Sequence, residues 1–430
     1  MVSTALLTDH YELTMLQATL ADGTASRRSV FEVFGRRLNG GRRFGVVAGT
    51  GRVLDALANF RFDQSEIEFL RLSKVVDDVT CDWLADYRFT GDIWGYPEGE
   101  LWFPGSPILR VDATFGEGVI LETLILSILN HDSAIASAAT RMTMAAGDRP
   151  CIEMGTRRTH EEAAVASARA AYICGFAATS NLEAGRRYGI PTAGTAAHAF
   201  TLVHDSERDA FTSQIGSLGH DTTLLVDTYD TPQGVATAIE VGGPHLGGVR
   251  LDSGDLADVA RATRAQLDAA GNTDTRITVT SDLDEYAIAA LAAAPVDGYG
   301  VGTSLVTGSG SPTSGFVYKL VARETADGAM LGVAKKSKDK TSIGGRKTAL
   351  RRLSAKGVAE AEVVGIDVKP RDDGDDRELM VPLVEAGERV HRATLQDSRA
   401  RLQASLRELP ASARRLSKGD PAIATIYEED

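Results

Sequence analysis

The sequence predicts an α/β protein built on an irregular (β/α) barrel, with a separate N-terminal α/β domain. Two observations carry this. From about residue 149, short apolar runs alternate with amphipathic helical stretches, the pattern of parallel strands joined by right-handed crossovers. About eight such runs occur, which fits a (β/α) barrel or an irregular relative better than an open sheet. Residues 1–115 read differently, with short strands such as Ser29–Phe34 and Pro107–Val111 set among helices.

Taken in order, the candidate barrel strands are Pro150–Met154, Ala177–Ser180, Pro191–Ala196, Thr223–Val226, Gly247–Leu251, Arg276–Thr280, Gly298–Val301 and Phe316–Val321. Between them, Ser253 to Ala270 has Leu256, Val259, Ala260, Thr263 and Leu267 on one face, and Gly271 ends it. Ser281 offers an N-cap with Asp284 three residues on, and Thr231-Pro232 opens another helix. The division expected is 1–115, an N-terminal α/β domain; 116–322, the barrel-like catalytic domain; and 323–430, a strand-poor C-terminal region with a basic loop, packing back on either. Charged Arg371–Arg377 reads as a surface turn.

Composition narrows the function. The 430 residues carry a net charge of −13, which argues against general nucleic-acid binding because a polyanion would be repelled. No uncharged apolar run of membrane-spanning length appears; Glu122 interrupts the best candidate, Val119 to Leu129, so no membrane partner is expected. Cys81, Cys151 and Cys174 are odd in number and lack metal-ligand spacing, which suits a reduced cytoplasm. Basic residues nevertheless cluster, from Arg27 to Arg43 and from Lys335 to Arg352. These are either solvated loops or anion-binding segments for a phosphate-rich small molecule.

Functional groups of a parallel barrel gather at the carboxyl ends of its strands. Those ends carry Gly155 to His160, Ser180 and Asn181, Thr195 to His198, Asp227 to Asp230, Arg250 with Asp252 to Asp255, Ser281 and Asp282, and Gly300 to Ser304. Arginines, a histidine, acids and a glycine-rich turn at one mouth point to phosphate handling with a metal. Gly300-Val301-Gly302-Thr303-Ser304 lacks the third glycine of a dinucleotide fingerprint, yet offers N–H groups to a phosphate. No GxxxxGK[ST] loop occurs. Val75-Val76-Asp77-Asp78-Val79 faintly suggests the acidic pair of a signature found on doubly wound sheets, but no small-residue phosphate loop follows it, so it is set aside.

Jointly these segments resemble the nicotinate phosphoribosyltransferases, from about Leu7 to at least Leu320. The resemblance rests on Thr8-Asp9-His10-Tyr11-Glu12-Leu13-Thr14-Met15, Phe31-Glu32-Val33-Phe34 with Gly45-Val46-Val47-Ala48-Gly49, and Glu153-Met154-Gly155-Thr156-Arg157-Arg158. It continues through Gly194-Thr195-Ala196-Ala197-His198, Val249-Arg250-Leu251-Asp252-Ser253-Gly254-Asp255, Gly302-Thr303-Ser304 and Val317-Tyr318-Lys319-Leu320. It implies a homodimer with a shared active site, and a reaction that joins nicotinate to phosphoribosyl pyrophosphate in NAD salvage, coupled to ATP. By the same resemblance, His198 is the phosphorylated histidine, supported by Asp227. Tyr11 comes from the partner subunit to stack on the pyridine ring, with Met154 where the family often has phenylalanine. Arg157 and Arg250 hold carboxylate or phosphate, and Ser180 and Asn181 offer neutral groups near the ring. Asp252 and Asp255 face Mg²⁺ and the ribose hydroxyls, and Gly302, Thr303 and Ser304 cradle the 5′-phosphate. Nicotinamide as substrate and a non-catalytic paralogue that binds a phosphometabolite are the alternatives; a barrel isomerase or a quinolinate enzyme fits less well.

Overall fold

The computed structural model describes residues 3–335 and 342–429. By its internal contacts the chain divides into two compact units, 1–137 with 311–430, and 138–310. The expected cuts at 115 and 322 therefore differ from these bounds, and the C-terminal region groups with the N-terminal one.

The second unit holds the parallel sheet. Six strands run in the order Ala178–Thr179, Cys151–Glu153, Gly298–Val301, Arg276–Val279, Gly248–Leu251, Thr223–Leu225, all parallel. Its two ends do not pair with each other, which leaves a curled half-barrel. Leu224, Val249, Leu251, Ile277, Val279, Tyr299 and Val301 are fully buried, as expected when helices cover a parallel sheet on both faces. The helices between strands include Glu161–Ile173, Leu182–Tyr188, Glu207–Leu218, Thr231–Gly242, Leu256–Ala269 and Glu285–Ala290.

Two of the eight expected strands lie elsewhere. Residues 191–196 form a loop with a single bridge at Thr192 to Thr179; Pro191 has no N–H to give a ladder. Phe316–Glu324 pairs antiparallel with Arg28–Gly35 in the first unit. The helix caps also differ. Asp230 and not Thr231 caps Thr231–Gly242, accepting from the Gln233 N–H at 3.0 Å. Asp284 and not Ser281 caps Glu285–Ala290, while Ser281 takes a φ of 128°.

The first unit is built on a seven-stranded antiparallel sheet, ordered Met330–Gly332, Phe316–Glu324, Arg28–Gly35, Leu109–Thr114, Asp92–Gly95, Val381–Glu385, Glu388–Arg389. A four-stranded sheet follows Arg377–Glu378, Lys347–Leu353, Ala359–Ile366, Ala424–Glu428. The region after 322 is thus rich in strands, against expectation. Its inward positions carry charge: Lys347 reaches Glu32 at 2.9 Å and Arg351 reaches Glu362 at 3.0 Å, with all four side chains 3% exposed or less. Lys347 and Arg351 are therefore core ion-pair partners, not members of a solvated basic loop. Lys336, Lys338 and Lys340 lie outside the described residues. Arg371 to Asp375 form an exposed turn, as expected, whereas Arg377 begins a strand and is largely buried.

The helical stretch Phe115–Ala146 has the length and hydropathy of a membrane span, but 67% of its apolar window is buried inside the protein. Leu121, Leu124, Ile125 and Leu129 belong to the main hydrophobic core.

Candidate active site

At the carboxyl ends of the parallel strands lies a cleft of about 470 Å³, and most of the residues singled out from the sequence line it. The turn after Cys151–Glu153 supplies Met154, Thr156, Arg157 and Arg158, and the turn after Ala178–Thr179 supplies Ser180. The loop 193–197 leads to His198, the first residue of the short helix His198–Leu202. Arg250 and Asp252 stand at the end of Gly248–Leu251, and Thr280, Ser281 and Asp282 follow Arg276–Val279. Gly300, Gly302 and Thr303 close the wall.

The close approach at Gly300 explains the absence of a side chain there. A Cβ would sit 2.6 Å from Met154 Sδ and 2.5 Å from Thr280 Cγ2. Met154 is thereby packed on the strand end, with its thioether facing the cleft wall.

Two guanidinium groups define the electrostatics. Burial lowers the pKa of Arg250, Asp252 and Asp227 act against this, and Arg157 lowers it further. Arg250 donates from Nη1 to Thr195 Oγ1, while its buried Nε has no hydrogen-bond partner among the described residues. Two neighbouring cations with a spare donor make a receptor for an anion.

His198 is about two-fifths exposed, at 41%. Its Nδ1 lies 3.1 Å from Thr228 Oγ1 and its Nε2 lies 3.8 Å from Asp252 Oδ2. Asp227, expected to support the imidazole, instead accepts from the Asp252 N–H at 2.8 Å and the Ser253 hydroxyl at 2.7 Å. It holds the turn that carries Asp252, and Asp252 in turn accepts from the Thr280 hydroxyl. Thr280 is the cleft residue that sequence reasoning did not single out, whereas Thr228 stood only within the strand end Asp227 to Asp230. Thr280 is a threonine at a strand end, the one signal that could have found it.

Other residues stand apart from the cleft wall. Asn181 is buried, caps Leu182–Tyr188 through the Ala184 N–H at 2.8 Å, and gives Nδ2 to Thr156. Asp255 is exposed and caps Leu256–Ala269. Ser304 lies one residue beyond Thr303 in the short helix Thr303–Val306 and is not among the lining residues. Tyr11, in the first unit, is 44% exposed; burial and Glu122 push its phenol up to about 12.

A cleft lined by these arginines and acids suits a small, multiply anionic ligand, and the fold and site together define an α/β half-barrel protein with an anion-receptive cleft. Residues 6–130 match the nicotinate phosphoribosyltransferase N-terminal domain, and residues 135–309 match the quinolinate phosphoribosyl transferase C-terminal domain. The chain is 56% identical to nicotinate phosphoribosyltransferase pncB1 of Mycobacterium tuberculosis, over 98% of this chain and 94% of that protein. It is 40% identical to the nicotinate phosphoribosyltransferase of Bacillus subtilis, over 82% and 74%. The crystal structure of human nicotinic acid phosphoribosyltransferase superposes with a TM-score of 0.81 at 26% identity, covering 98% of this chain and 97% of that one. The chain belongs to the nicotinate phosphoribosyltransferase family.

Proposed function

We propose that the protein joins nicotinate to phosphoribosyl pyrophosphate, releasing nicotinate mononucleotide and pyrophosphate, with ATP hydrolysis driving the synthesis. The observation that carries the reading is the Arg157–Arg250 pair in a cleft that Met154 and Ser180 line with uncharged groups; in this reading those two face the pyridine ring. Such a site favours a pyridine carboxylate over nicotinamide, which would offer no charge to the half-buried Arg250 and its unpartnered Nε.

In the reaction, the pyridine nitrogen bonds to the ribose C1 as the bond from C1 to the pyrophosphate oxygen breaks. Charge builds on the sugar, so catalysis is mostly positioning and electrostatics. The Asp252 carboxylate, fixed by Thr280 and by the turn that Asp227 holds, is suited to stabilise that charge. Gly302 and Thr303 offer backbone and hydroxyl donors to the 5′-phosphate, with Ser304 one residue on. His198 attacks the terminal phosphorus of ATP with a ring nitrogen, ADP leaves, and water later takes the phosphoryl group as inorganic phosphate. The half-exposed imidazole beside Asp252 supports this role.

The donor set fits Mg²⁺. Asp252 and Asp282 put two carboxylates in the wall, whereas Asp255 is committed to a helix cap. The described residues offer three clustered acidic ligands only at Asp372, Asp373 and Asp376, far along the chain, so substrate phosphates would complete a shell in the cleft. The ion supplies neutralisation of pyrophosphate charge. A homodimer in which the partner delivers its own Tyr11 to the ring accords with the exposure of that side chain. Three free, buried cysteines suit a reducing cytoplasm.

The test is mononucleotide formation by the purified protein with phosphoribosyl pyrophosphate, Mg²⁺ and ATP, given nicotinate or nicotinamide. Nicotinate turnover well above nicotinamide turnover is expected. No product from either, or a preference for nicotinamide, would overturn the reading.

A further inference from the structure

The geometry points to Glu153 as a positioning residue for nicotinate binding, a fully buried carboxylate that ties two loops of the cleft together. The inference rests on the reaction proposed above. Glu153 ends the strand Cys151–Glu153 and has no exposed surface. One carboxylate oxygen accepts from the Gly155 N–H, inside the turn that carries Met154, Thr156 and Arg157. The other accepts from the hydroxyl of Thr179, the residue before Ser180. Thr179 Oγ1 then accepts from the Asn181 N–H at 2.9 Å, and Asn181 Nδ2 donates back to Thr156 Oγ1 at 3.2 Å. The result is a closed ring of hydrogen bonds beneath the two loops that supply the ring-facing groups and one arginine.

The first of those loops has little room to relax. A Cβ on Gly155 would meet Val306 Cγ1 at 2.3 Å and the Gly302 carbonyl at 3.0 Å, so the turn is wedged against the phosphate-side turn. Burial pushes the Glu153 carboxyl up, opposed by the hydrogen bonds from Thr179 and Gly155. Both partners donate, so the ionised form satisfies them together, and a protonated carboxyl gives up one acceptor. A buried carboxylate held by neutral donors is costly to keep. Here it couples the geometry of Arg157 and Met154 to that of Ser180.

Glu153→Gln preserves volume but turns an N–H towards Thr179, whose oxygen already accepts from Asn181. The full-length protein is titrated with nicotinate by calorimetry across pH, with KM for both substrates and the melting temperature measured alongside. The expected result is a loss of nicotinate affinity of about tenfold, the scale of one hydrogen bond to a charged group. The KM for phosphoribosyl pyrophosphate and the melting temperature should change little. The ratio of wild-type to variant affinity should also fall towards one as the pH drops through the raised pKa of Glu153; nicotinate's own titration cancels in that ratio. Unchanged affinity with a flat ratio overturns the inference, as does equal weakening of both substrates together with a lower melting temperature. If Glu153→Gln fails to fold, Thr179→Val, which removes one donor and keeps the shape, must weaken nicotinate binding; wild-type affinity there overturns it. Wild-type protein that does not bind nicotinate defeats the proposed reaction, whereas equal binding by wild type and variant defeats only the role of Glu153.

Discussion

Removing the Asp227 carboxylate should disable the cleft without touching its wall. Asp227 Oδ2 accepts from the Asp252 N–H at 2.8 Å and the Ser253 hydroxyl at 2.7 Å. In Asp227→Ala the half-buried Asp252 N–H loses its acceptor, while exposed Ser253 turns to water. A hydrogen bond to a charged acceptor contributes about 1.5–3 kcal/mol, so with Ser253 adding little the loss is about 2–3 kcal/mol. If the turn is needed in its present geometry mainly in the transition state, kcat/KM falls roughly 30- to 150-fold. Asp227→Asn keeps a carbonyl oxygen for the Asp252 N–H and should recover much of that. The assay is steady-state mononucleotide formation, with thermal melting to separate folding from activity. Wild-type kcat/KM in Asp227→Ala would refute the reasoning. An asparagine variant as impaired as the alanine one would show that charge, and not the accepted hydrogen bond, is what matters.

Other expectations follow from the packing. Gly300→Ala forces a methyl against Met154 Sδ and Thr280 Cγ2, so it should displace the thioether into the cleft, cost about 1–3 kcal/mol of stability and raise the nicotinate KM; kinetics and melting of the variant check both. Arg377→Ala removes the main partner of Glu100, which is fully buried and accepts from Arg377 at 2.6 and 3.1 Å. Arg351 and Arg401 remain within 3.8 and 3.5 Å, so a loss near the low end of the usual range, about 3 kcal/mol, is expected in denaturant unfolding. The same pair sets an acid dependence. Burial alone would raise the Glu100 carboxyl, but Arg377 and Arg351 hold it below its ordinary 4.5. A depressed carboxyl stabilises the fold above its ordinary value and ceases to as the pH falls through the folded one. The wild type should therefore lose this contribution below about pH 4.5, and Arg377→Ala should lose less of it there.

The half-barrel was legible because its strands are short, mostly apolar runs, such as Thr223–Leu225 and Gly298–Val301, separated by capped helices. Much of the cleft followed from reading the carboxyl end of each run, which pointed to Arg157, Ser180, Arg250, Asp252 and Thr303 on its wall, while Met154 came from the family resemblance. What escaped was long-range. Lys347 and Arg351 look like solvent residues until Glu32, 315 positions away, and Glu362 meet them in the core. Pattern reading takes a buried ion pair for a surface loop, so the C-terminal strands went unseen. Local geometry was also ambiguous. Asp227, Asp252 and Asp255 share one composition, yet one braces a turn, one faces the cleft and one caps a helix. Nothing in the order of residues separates those uses.

The most direct test of the account is nicotinate mononucleotide formation with and without ATP, in the wild type and in His198→Ala. Turnover that ATP raises in the wild type and leaves unchanged in His198→Ala is the predicted result. Product formation that depends on neither ATP nor His198 would leave the reaction standing and contradict the phosphohistidine mechanism, and no product at all would contradict the account as a whole.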